Sequence, residues 1–311
     1  MTGVGDNIDR LTTSLHVGFG RTIWHSIITW MRCNRIVSFQ KGFLMTHDKK
    51  RPKGWLVGKQ QIDDWLAIAQ VQMTRQEYER ALRTARRILK YIPKKDPVYA
   101  EALGLIGMVY ALRKDFELSF QTLSQAIEIN PKDAYLWYNR GLAARFTSRS
   151  GLSLRDFEQA MHLVGQGEMA VKFQEEEKFA RQIAESERAL RGQDFTLDQL
   201  IEQQALFQQG NTLSTQGKWQ EAEACFRQSI AMGDCLPQPW GNLGICLAMQ
   251  KRFDEAEAAY KRALEIDPKY ERAREHLKNL ANMRAHPDDM PEFAITSPFQ
   301  GVKTGLTIIK E

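Results

Sequence analysis

Cysteine is scarce in this chain. There are four in 311 residues (Cys33, Cys225, Cys235 and Cys246), and no two form a Cys-x-x-Cys pair. That usage reads as reduced thiols in a cytoplasmic protein, not as a disulfide framework. Long apolar runs are also missing. None approaches the ~20 residues needed to span a bilayer, and the mean hydropathy is −0.45. No Asn-x-Ser/Thr glycosylation acceptor occurs. The early stretch "TIWHSIITWM" is short, contains His25 and has no small-residue cleavage pattern after it, so it is not a clean signal peptide.

The usual signatures of catalysis are equally thin. The Gly-Lys pairs at Gly58-Lys59 and Gly217-Lys218 lack the upstream glycine and the following Ser/Thr of a phosphate loop. Gly18-Phe19-Gly20 lacks the third glycine of a dinucleotide loop. No His-Glu-x-x-His and no Gly-x-Ser-x-Gly is present. The six histidines are scattered; His162 and His276 fall at helical positions as surface or packing residues. Cys225 and Cys246 read as small core residues. No enzyme, cofactor, metal or small-molecule substrate is expected.

Charge is uneven. Residues 32–95 hold sixteen lysines and arginines against five acidic residues, and the remainder is mildly acidic, within a net charge of +5. Arg83, Arg86, Arg87, Lys90 and Lys94 recur at three- and four-residue steps, which on a helix is one face. The stripe is either a solvated outer face or a docking face for an acidic partner or anionic surface. Tyr91 is a single aromatic beside it, not the interleaved platform that nucleic acid needs.

What the chain does have is spacing. "PQPWGNLGICLAMQ" and "DEAEAAYKRALEI" read as two helices, with proline at the first start, Asp254 as the second N-cap, and Asp267-Pro268 as the stop. Gly244 and Ala256 are small where the helices would cross. Trp240, Leu243, Leu247, Phe253, Tyr260, Ala263 and Leu264 fill the space between. One such hairpin cannot bury its own apolar face, so a repeat is the thing to seek. A step of 34 residues takes Trp240 to Leu206, Gly244 to Gly210, Leu247 to Leu213, Phe253 to Trp219, Ala256 to Ala222 and Tyr260 to Phe226. Further copies carry Gly107, Tyr110, Ser119, Ala126 and Pro131; Trp137, Gly141, Phe157 and Ala160; and Trp65, Ala69, Tyr78, Ala81 and Pro93. In the third copy the turn "TSRSGLS" reads as polar and loose.

These five units resemble the tetratricopeptide repeat. The resemblance implies an all-α fold, a right-handed α-α superhelix whose first helices line a concave groove, and here a long connecting helix between two repeat blocks. The expected organisation is an irregular extension over 1–57, three repeats over 58–167, a connecting helix or degenerate repeat over 168–201, two repeats plus a capping helix over 202–283, and a flexible tail over 284–311. The connecting helix reads from about Met169 to Leu190, stopped by Gly192, with Phe173, Ala180, Ile183 and Leu190 as its apolar stripe and Thr196 capping the next helix. It either keeps the stack continuous or hinges two modules. The capping helix turns Ala273, Leu277 and Leu280 inward. Within the extension, either the working chain begins at Met45, or "RTIWHSIITWMRC" is an amphipathic peptide for a membrane surface or partner.

The groove candidates are Asn139, Asn211, Asn242, Arg272 and His276. An asparagine both donates and accepts, as the backbone of an extended peptide requires. Asn211, Asn242 and Arg272 resemble part of the carboxylate clamp of co-chaperone members of the family. Phe207 and His276 replace two of its basic residues, which weakens the match. The expected function is a non-enzymatic adaptor binding a peptide or helix segment of another protein. The alternative is a regulatory or membrane-associated assembly factor that uses the basic face. Nucleic acid and membrane are not the expected partners. The C-terminal tail, with its three prolines and β-prone end, could instead occupy the protein's own groove.

Overall fold

The computed structural model describes residue 54 and residues 56–286. The readings of a start at Met45, of the peptide over 21–33 and of a self-binding tail lie outside the described residues. Among the described residues every regular element is a helix. In chain order they are α1 (Lys59–Thr74), α2 (Tyr78–Leu89), α3 (Pro97–Leu112), α4 (Phe116–Ile129), α5 (Ala134–Phe146), α6 (Ser150–Val164), α7 (Glu168–Ala189), α8 (Leu197–Thr215), α9 (Trp219–Met232), α10 (Pro237–Met249), α11 (Phe253–Ile266) and α12 (Glu271–Ala285). Packing divides the chain after Thr84, inside α2. In the first unit α1 buries Ile62, Trp65, Leu66, Ala69 and Met73 on one side, and Thr84 donates to Gln72 Oε1 at 2.8 Å.

In the second unit the first helices α3, α5 and α8 begin with side-chain caps, whereas α10 and α12 do not. Asp96 accepts from the Val98 amide and Asp133 from the Tyr135 amide, each at 2.9 Å. Thr196 and Gln199 form a reciprocal capping box, which satisfies two amides that the helix itself cannot. The second helices do without. Asp254 is not the cap of α11: Arg252 holds that position, the helix starts at Phe253, and Asp254 lies in the first turn, where its charge favours the helix dipole.

The turn inside each hairpin is built one way. Gln76, Lys114, Ser148, Gly217 and Lys251 all have positive φ, from 59° to 74°, and they occupy the same place in each copy. The third turn, "TSRSGLS", is therefore not loose: it repeats the left-handed turn of the others, and Thr147, Ser150 and Ser153 are all buried. Between the helices a glycine on the first lies under a large side chain of the second. A methyl on Gly107 would come within 2.6 Å of Leu123, on Gly141 within 3.1 Å of Phe157 and on Gly210 within 2.7 Å of Phe226; on Gly244 it would come closer still to Tyr260. Gly244 thus meets Tyr260, while Ala256 is small for the packing around it. Ala222 and Ala256 are both fully buried. Ala222→Leu and Ala256→Leu should each cost ~1–3 kcal/mol through overpacking, read from the denaturant midpoint at constant m-value.

The core of this unit runs in layers between successive elements. One layer joins α8 to α12 through Phe226, Leu243, Tyr260, Ala273 and Leu280. Another joins α5, α6, α7 and the start of α8 around Phe157, Phe173 and Leu200. In the third hairpin, Arg140 makes a two-pronged ion pair with Asp156 (2.8 and 2.7 Å). Its guanidinium lies 4.9 Å from the Trp137 ring centroid. Asp156 is fully buried, and that burial pushes its carboxyl up to about 6 against the pull of Arg140.

Helix α7 packs along α6. It buries Phe173, Ala180 and Ala184; Leu190, expected on that stripe, is 41% exposed because the helix ends at Ala189. Gly192, with φ +125°, turns the chain away. Past α7, the first half of α8 returns to the start of α6. The Gly151 amide donates to Gln204 Oε1 at 3.1 Å, Gln204 Nε2 donates to Ser150 Oγ at 2.8 Å and to Glu187 Oε2 at 2.9 Å, and Gln208 Nε2 donates to the Thr147 carbonyl at 2.8 Å. Burial holds the Glu187 carboxyl above its usual range, opposed by the charge of Arg191. This polar seam joins the third hairpin to the fourth.

Candidate peptide groove

The first helices α8, α10 and α12 pack side by side, α8 on α10 and α10 on α12. The wall they form carries four of the five groove candidates. Asn211 is on α8, Asn242 on α10, and Arg272 and His276 on α12. The structure brings the two asparagines together: Asn242 Nδ2 donates to Asn211 Oδ1 at 2.8 Å. Asn242 is 2% exposed, so its amide is a buried brace between adjacent hairpins. Asn211 is half-buried. With its oxygen engaged, its own NH2 group remains to donate outward.

His276 is half-buried and stacks on Tyr260, with ring centroids 5.5 Å apart. Burial lowers its pKa; Glu275 opposes that shift and Arg272 adds to it, so the ring is held neutral. Phe207, in the place of a basic residue in the clamp, is 6% exposed and packs against Phe226 at 5.7 Å. It is a core residue. Asn139 is separate from this cluster: it is half-buried on α5, which packs chiefly on α4 and α6.

The basic candidates Arg83, Arg86, Arg87, Lys90 and Lys94 are all exposed. They do not share a continuous helix face, because α2 stops at Leu89 and both lysines sit in the turn that follows. Arg86 Nη2 donates to the Tyr110 hydroxyl at 2.8 Å. Among the described residues no group of His, Cys, Asp and Glu gathers as a metal ion would need, and no helix is long and apolar enough to cross a membrane. Cys225 and Cys246 are buried, free thiols. Burial pushes the Cys246 thiol up to about 11, which leaves it unreactive at neutral pH.

Sequence reasoning missed the polar seam and the Arg140–Asp156 pair. The seam's residues lie in "SRSGLS" and "EQQALFQQ", whose small residues and repeated glutamines carry no sign of their pairing in the sequence.

Tetratricopeptide-repeat family profiles match residues 66–134, 210–233 and 237–270. The chain carries tetratricopeptide repeats. Its fold is the all-α repeat solenoid of that family. Similar solved structures include the Sgt2 repeat domain from Aspergillus fumigatus, at 20% identity over 45% of this chain and 87% of that one, with a TM-score of 0.38. The TPR2AB domain of yeast Sti1, in its pHSP90 complex, matches at 16% identity over 72% and 84%, with a TM-score of 0.35. YrrB, described as a TPR protein with an unusual peptide-binding site, matches at 17% over 69% and 90%, with a TM-score of 0.33. No curated protein matches the chain.

Proposed function

We propose that this tetratricopeptide repeat protein is a non-enzymatic adaptor that holds a peptide or helix segment of another protein across α8, α10 and α12. The observation that supports it most is the Asn242–Asn211 hydrogen bond. A buried amide fixes the orientation of a half-buried one, and a fixed donor at a surface is what main-chain recognition needs. Phe207 lies in the core and His276 is held neutral, so the charge that would grip a terminal carboxylate is thin. The chemistry favours the main chain of an internal segment.

The test compares partners captured from native extract by the wild type and by Asn211→Ala/Asn242→Ala, with circular dichroism to show that both are folded. Loss of a specific partner from the double variant is the expected result. Retention of the same partner would overturn the groove assignment. If that retained binding also fell steeply with salt, the exposed arginines Arg83, Arg86 and Arg87 would become the site, since screening acts on exposed charge.

A further inference from the structure

Each first helix has a leading face, turned toward whatever precedes it in the array. Two positions per helix define it. In α3 they are Ile106 and Val109, 4% and 1% exposed; in α10 they are Leu243 and Cys246, 1% and 0% exposed. In α5 they are Arg140, stacked near Phe120 of α4 at 5.7 Å, and Ala143, fully buried. In α8, which follows the long α7 and has no hairpin directly ahead of it, they are Gln209 and Thr212, and both are exposed. Covered leading faces are therefore mostly apolar, and the open one is polar.

Helix α1 breaks that correspondence. Its leading positions are Ile68 and Val71, 45% and 46% exposed. Asp64 continues the same stripe one turn earlier and is exposed as well. Leu56, 65% exposed, lies just upstream. An open apolar stripe on a repeat helix is a surface that repeat proteins ordinarily cover or make polar.

We propose that the leading face of α1 is the docking surface for the chain's own upstream segment, residues 21–35. Three observations select this occupant. α5 packs on the element immediately upstream, α4, and α10 packs on α9 and α8 ahead of it, so the preceding chain is the natural cover. Residues 21–35, "RTIWHSIITWMRCNR", repeat apolar residues at three- and four-residue steps: Ile23, Ile27 and Trp30, and Trp24, Ile28 and Met31. The segment carries Arg21, Arg32 and Arg35 and no acidic residue, a charge complementary to Asp63 and Asp64 at the start of α1.

The test places a photo-reactive benzoylphenylalanine at Ile68 in the full chain and maps the products of illumination by mass spectrometry. The expected result is cross-links to residues 21–35 in a product of monomer mass. A product of dimer mass would assign the face to a second copy, and cross-links to residues 287–311 would assign it to the tail; either overturns the proposal, as does the absence of any cross-link. Hydrogen exchange gives an independent reading. Ile27→Asp/Ile28→Asp should speed exchange at the α1 amides while leaving α10 and α11 unchanged, and unchanged exchange at α1 would count against the docking.

Discussion

Gly244→Val should cost about 3 kcal/mol, the upper end of overpacking in a packed core. A side chain at this position collides first with the Tyr260 ring. Tyr260 is 1% exposed and is held on its far side by the stacked His276. The ring therefore cannot rotate out, and the two helices have to separate. The β-branch adds a small penalty of its own inside a helix. Gly58→Ala is the control, because nothing lies within 4 Å of the added methyl there; as the N-cap of α1 it should lose no more than ~1 kcal/mol. Coupling identifies the cause: Gly244→Val should be less damaging in a Tyr260→Leu background. Equal damage in both backgrounds would mean that the collision is not with the ring.

Asp156→Asn should cost ~3–5 kcal/mol, since it removes the counter-charge of a largely buried guanidinium and turns one of its two acceptor atoms into a donor. The pair itself contributes much less than that. Its carboxyl is pushed up despite two short bonds to Arg140, which means that taking the charge out of water outweighs what the guanidinium returns. Replacing both partners with apolar residues, as in Arg140→Met/Asp156→Val, should therefore recover most of the loss or exceed the wild type. Urea unfolding of the three variants settles it. A double variant as unstable as Asp156→Asn would show the ion pair to be a net stabiliser.

The five hairpins were legible in the sequence because several independent constraints repeat together. A glycine must sit under a large side chain, an alanine must be small at the crossing, and the stop must follow at a fixed distance. Coincidence of Gly244 with Gly210 and of Tyr260 with Phe226 made the register firm. The left-handed turn was not legible, because four of its five residues are Gln76, Lys114, Ser148 and Lys251, and none announces a positive φ as glycine does. The Asn211 and Asn242 candidates could be chosen by position, but not the bond between them, which depends on how close two helices pass. The seam was hidden for a different reason. Serine and glutamine read as solvated unless their partner is known, and here the partner lies across the whole of α7. Arg140 was hidden because it replaces the aliphatic residue that its register predicts.

That seam also bears on how the chain is made. Most packing in the second unit joins one element to the next along the chain, so a hairpin can settle soon after its second helix leaves the ribosome. The start of α6 cannot. Its Gly151 amide is bonded by Gln204, and the Thr147 carbonyl takes its shorter bond from Gln208. Until those glutamines emerge, the third hairpin is held by its apolar layer, the Arg140–Asp156 pair and the bond from Ser153 to the Gly141 carbonyl, and a pause in synthesis between α7 and α8 would leave it with its polar end unfinished.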